Sequence, residues 1–160
     1  MMKKLISILS LLFLSLFSLN ILAANNKVRD IFVQTAPEAS ITKLAQPHSY
    51  QLSLKNIQNY ATYFSDHPRR TTNIVTLQAF LDIWNKGLSK NTSNASISGV
   101  VNNKPVNFPA ELTQPNYDAE SRTLTYIIHP LEGKESTIPS ELHMSDVSLF
   151  IDSLCLSCLG

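Results

Sequence analysis

The densest cluster of groups able to do chemistry is the run YATYFSDHPRR, residues 60–70. An alternating aromatic stretch ends there in Ser65, Asp66 and His67, and Pro68, Arg69 and Arg70 follow. Two chemistries suit these side chains. Arg69 and Arg70 could form a fork for a carboxylate, phosphate or sulfated group, because guanidinium donors match such anions bidentately. Asp66 and His67 could instead act as base and acid in a hydrolytic or metal-dependent site. The second role needs a nucleophile or a metal. The chain offers no G-x-S-x-G, no S-x-x-K and no catalytic cysteine followed by a suitable histidine.

A well-made turn accounts for the same residues. Pro68 suits the second position of a type I turn spanning His67 to Arg70. His67, as the residue before proline, is pushed toward an extended backbone. Asp66 can accept from the Arg69 backbone N–H or pair with Arg69 or Arg70. Asp66, His67, Arg69 and Arg70 are therefore taken as a candidate binding or structural turn, with the structural role preferred. No catalytic residue is assigned and no cofactor is expected.

The other reactive side chains are scattered. His48, His67, His129 and His143 show no metal-binding spacing, although His67 and His129 both precede a proline at a strand end. Cys155 and Cys158 are three apart and could close a small disulfide in an exported protein. Only two residues follow Cys158, so a thioredoxin-type helix is not available to lower a thiol pKa.

The elements that position these groups follow from hydrophobic period. DIFVQTA and ASITKLA read as strands separated by Pro37. SYQLSLKNI alternates, with Tyr50, Leu52 and Leu54 on one side, and NYATYFS follows after a short turn, so the two read as an antiparallel hairpin. In the second strand Tyr60, Thr62 and Phe64 stand opposite Ala61 and Tyr63. The period then changes to that of a helix over about 76–87, capped by Thr76 and closed by Gly87, with Leu77, Phe80, Leu81 and Trp84 on one face. Asp82 and Lys86 have the spacing of a favourable i, i+4 pair. Beyond a polar loop come SISGVV, a turn at Asn102 and Asn103, and a segment that Pro105, Pro109 and Pro115 confine to edge or irregular positions. RTLTYIIHPLEG and DVSLFID complete about seven strands. The expected fold is α+β: an antiparallel sheet or small β-sandwich with one main helix.

Lys3 and Lys4 precede an apolar run from Leu5 to Ala24, the pattern of a secretory signal peptide cleaved after Ala23 or Ala24. An uncleaved anchor is the alternative, and both place the folded part outside the cytoplasm, periplasmic or secreted. Residues 1–24 are then the signal and 25–160 a single domain, with 153–160 a fraying tail. Removing Lys3 and Lys4 leaves eleven basic residues against twelve acidic ones. That balance excludes an electrostatic basis for nucleic-acid binding, and no second segment is long enough to span a membrane. The expected partner is an unidentified extracytoplasmic ligand or protein.

Phe64, Ser65, Asp66, Pro68 and Arg70, then Phe80, Leu81 and Trp84, then the closing Leu149 to Asp152 resemble a group of small exported bacterial proteins without established function. The group's pattern favours arginine where this chain has His67. The resemblance therefore implies that Asp66 and Arg70, with Asp152 nearby, fix the strand-to-helix corner, and it weakens a histidine-dependent role. The reading reached is an exported, non-enzymatic, β-rich binding domain. Its runner-up is an envelope hydrolase or metal-dependent enzyme centred on Asp66 and His67.

Overall fold

A computed structural model of the chain describes residues 29–65, 70–87, 92–131 and 138–154. Its first strand, β1 (Arg29–Lys43), organises the rest. One edge of β1 pairs along its length with β8 (Glu141–Leu154), from Arg29 opposite Leu154 to Thr42 opposite Glu141. The other edge is shared. β3 (Tyr60–Ser65) takes Asp30 to Val33, and β2 (Tyr50–Lys55) takes Glu38 to Lys43. The expected β2–β3 hairpin therefore does not form: the two strands lie one after the other along the same edge.

The remaining strands are β4 (Thr71–Thr76), β5 (Ser93–Val101), β6 (Lys104–Asp118) and β7 (Thr123–Pro130). The strand order is β2-β7-β6-β5-β8-β1-β3-β4, and β2 also pairs with β1. Six strands thus close into an antiparallel ring, with the β3–β4 hairpin extending outward from β1. The fold is α+β as expected: an antiparallel sheet of eight strands among the described residues, closed on itself through six of them, with one helix packed against it. Closure leaves no strand of the six-membered ring at a free end of the sheet, and only the β3–β4 hairpin keeps an outer edge.

Pro37 does not break β1 as the sequence suggests. It falls between the stretch held by β3 and the stretch held by β2, and it stands opposite Asp146 without a ladder pair on the β8 side. A residue with no N–H loses nothing there. Inward side chains run Phe32, Gln34, Ala36 and then Ala39, Ile41, so the alternation slips by one at the proline. β8 slips at the same level, between Met144 and Val147, with Asp146 at a left-handed φ of 50°. This double slip bends both strands together at the corner of the ring. Gly99 faces the slip from β5, where an added Cβ would stand 3.1 Å from the Ser145 carbonyl oxygen.

Prolines in β6 follow the same logic. Pro105 and Pro109 pair only with β5, because the β6–β7 ladder begins at Ala110. Pro115 sits in a bulge between Thr113 and Asn116, beside Gln114 at φ 51°. Asn102 and Asn103, at φ 49° and 62°, form the two-residue turn between β5 and β6, as their sequence foretells.

The helix α1 (Leu77–Gly87) starts on Thr76, whose Oγ1 accepts the Ala79 N–H at 3.2 Å. Leu77, Phe80 and Trp84 are fully buried, while Leu81 is only partly so. Asp82 takes the side-chain amide of Gln78 at 3.0 Å and makes no ion pair with Lys86. Phe80 packs edge-on against Phe32 of β1 at 5.1 Å, and Trp84 lies 5.7 Å from Tyr126 of β7. The helix therefore closes the side of the ring where β1 leaves β2 for β3.

A compact turn joins β6 to β7. Asp118 accepts from the Ser121 hydroxyl at 2.7 Å and from the Glu120 N–H at 2.9 Å. The Ser121 hydrogen bond, then that of Glu120, hold the Asp118 carboxyl below its usual range. A depressed folded-state pKa contributes stability above the unfolded pKa and loses it as pH falls through the folded value. An NMR titration should accordingly show Asp118 protonating below the exposed carboxylates, and Ser121→Ala should move it back toward them.

Candidate functional site

Of the residues singled out by sequence, Asp66, His67 and Arg69 lie outside the described residues, as do Cys155 and Cys158. Arg70 is described. It is exposed and enters β4 in a left-handed conformation, φ 45°. Close to it in the ladder are Ser65, opposite Thr71, and the buried Asp30, opposite Ser65. Asp30, Arg70 and Asp152 each take part in a polar or electrostatic interaction. The Ser65 hydroxyl is buried and has no hydrogen-bond partner among the described residues. The ladder thus brings the end of β3 beside the start of β1, which in turn pairs with the end of β8.

The three described histidines, His48, His129 and His143, lie on different elements. His48 lies in the β1–β2 loop at φ 54°, and the His129 Nδ1 shares a hydrogen bond with the Ser49 hydroxyl at 3.3 Å. His143 lies 3.4 Å from the exposed Glu141. Among the described residues, no three His, Cys, Asp or Glu side chains are grouped to hold a metal. Among those residues, too, no helix is long and apolar enough to cross a membrane.

Two surface features remain. One is a concavity of about 430 Å³ at the bend of β1, where Thr35, Asn56, Gln58, Asp146 and Ser148 supply amide, hydroxyl and carboxylate groups. It can hydrogen-bond a small polar molecule.

The other is the outer face of β8, β1, β3 and β4. Residues whose neighbours point inward place Phe150, Val33, Thr62 and Ile74 opposite one another in one row across the four strands. Asp152, Ile31, Phe64 and Thr72 form the next row, and Tyr60 stands opposite Thr76. Ile31, Tyr60, Phe64, Ile74 and Phe150 are 38%, 44%, 43%, 62% and 42% exposed. On the adjoining outer face the character reverses: the Asn107 amide donates to Ser96 and Ser98 at 2.6 and 2.8 Å.

Sequence reading placed the aromatic side of β3 without deciding which side is the core. The inward residues prove to be Ala61, Tyr63 and Ser65, and the larger Tyr60 and Phe64 face out. The usable signal was apolar residues on both sides of one strand: Tyr63 with Phe64, and Leu149, Phe150 and Ile151 in succession. A strand with one wet face needs only half of them.

Comparison with protein-family models, with characterised proteins and with solved structures gave no significant match.

Proposed function

We propose that the chain is an extracytoplasmic, non-enzymatic binding domain that meets a protein partner through the outer face of β8, β1, β3 and β4. The observation that carries this reading is the alignment of Ile31, Phe64, Ile74 and Phe150, with Tyr60 beside them, on one outward face. Single exposed apolar residues are ordinary, but a contiguous set in register is the mark of a contact surface. Aromatic residues and the absence of lysine suit the centre of an interface. The N-terminal apolar run after Lys3 and Lys4 supports a location outside the cytoplasm.

A photo-crosslinking residue introduced at Phe64 or Phe150, in the protein expressed in its own cell, should give discrete adducts. The same residue at Glu120, in the exposed β6–β7 turn, should give none. Equal labelling from all three positions, or none from Phe64 and Phe150, would remove the basis for this function.

A further inference from the structure

We infer that the partner at one end of this face is a second copy of the chain, joined edge to edge through β4 about a two-fold axis at Ile74. This deepens the reading of the outer face as a contact surface and rests on it.

Among the described strands β4 pairs only with β3, so no described strand occupies its far edge. Open edges are normally protected by lysine, proline, a bulge or a covering segment. The β4 sequence, TTNIVT, contains no charge and no proline, and its ladder to β3 runs without a register shift from Thr71 to Thr76. Ile74 at its centre is 62% exposed, so no other described part of the chain covers it.

Backbone direction supports the same contact. In an antiparallel pair, alternate residues exchange bonds with one neighbour and the intervening residues turn theirs to the other edge. The Ile74 N–H is given to its own neighbour, Asn73 Oδ1, at 2.8 Å, which identifies Ile74 as an outward-turned residue. Thr72 shares its phase. A two-fold axis at Ile74 sets the Ile74 N–H of each copy against the Ile74 carbonyl of the other. It also sets Thr72 opposite Thr76 and Asn73 opposite Val75.

Opposed residues of an antiparallel pair share a face, so the axis keeps outer face with outer face. The row Phe150, Val33, Thr62, Ile74 then continues into Ile74, Thr62, Val33, Phe150 of the second copy. No like charges meet within β4, since residues 71–76 carry none. Such an interface is isologous, the commonest symmetry of homo-oligomers. A six-residue edge is small, which places the contact in the weak class.

Sedimentation equilibrium of the purified protein, from micromolar to millimolar concentration, tests this. The wild type is expected to pass from monomer to dimer, with no larger species. Ile74→Pro removes the outward N–H and no β3 ladder bond, so it should keep the melting temperature and weaken dimerisation at least tenfold. Should that variant misfold, Ile74→Lys, at a side chain already exposed, should give a folded monomer. Asn73→Ala removes the competing acceptor and should tighten the dimer roughly fivefold. A wild type that stays monomeric at millimolar concentration overturns the inference, and so does a folded Ile74→Pro or Ile74→Lys that dimerises normally. A weakened dimer in Asn73→Ala would likewise refute the edge geometry. If the protein is monomeric yet Phe64 still crosslinks to another protein, the contact surface stands and the second copy does not.

Discussion

Trp84→Ala should destabilise the domain by about 3–5 kcal/mol, the range for emptying a large aromatic site in a packed core. Trp84 is 1% exposed and touches Phe80 of its own helix and Tyr126 of β7, while Phe80 touches Phe32 of β1. Helix and ring are thus joined by one aromatic chain from β1 through α1 to β7. Removing the indole leaves a void that a closed ring cannot collapse to fill. Against a typical net stability of about 5–15 kcal/mol, this is a large fraction. Urea denaturation followed by circular dichroism is the suitable measurement, because Trp84 is the chain's single tryptophan and the variant has no indole signal. Trp84→Phe should recover more than half of the loss. A cost below about 1 kcal/mol for alanine would mean that α1 does not seal the core.

The second large effect lies inside the ring. The Tyr126 hydroxyl donates to Gln34 Oε1 at 2.8 Å, and both residues are buried. Burial pushes the Tyr126 phenol far up, against the smaller pull of its Gln34 hydrogen bond, so it remains a donor at every ordinary pH. Gln34 Nε2 has no hydrogen-bond partner among the described residues. Tyr126→Phe strands the amide oxygen as well and should cost about 1–3 kcal/mol. Replacing both partners, as Gln34→Leu with Tyr126→Phe, removes every polar atom of the pair and should be at least as stable as the wild type. The signature is therefore a double variant more stable than the single Tyr126→Phe, read from urea midpoints. A neutral Tyr126→Phe, or a double variant less stable than it, would show that the pair is not an isolated polar island.

The elements legible in the sequence were those decided by near neighbours. Tyr50, Leu52 and Leu54 alternate because β2 has one buried side, and Leu77, Phe80 and Trp84 recur at helical spacing because α1 does. Asn102 and Asn103 announce their turn because both need positive φ. Ring closure was not legible, since it depends on β1 meeting β8 more than a hundred residues away. Pro37 misleads for a related reason: whether a missing N–H matters depends on which strand lies beside it. Of the candidate turn, only Arg70 can be placed, and it occupies a backbone conformation that sequence gives no warning of. The outer face was left undecided because period alone separates two sides of a strand but does not say which one meets water.

The long pairing of β1 with β8 also fixes when the molecule can finish folding. β1 emerges early in synthesis, yet one of its edges has no partner until residues 141–154 exist. Pairings of such sequence separation form slowly, because the loop must close before its contacts repay the cost. The ring therefore stays open until residues 141–154 have been made. A polypeptide that cannot lock until β8 is made carries, up to that point, an open and unfinished core.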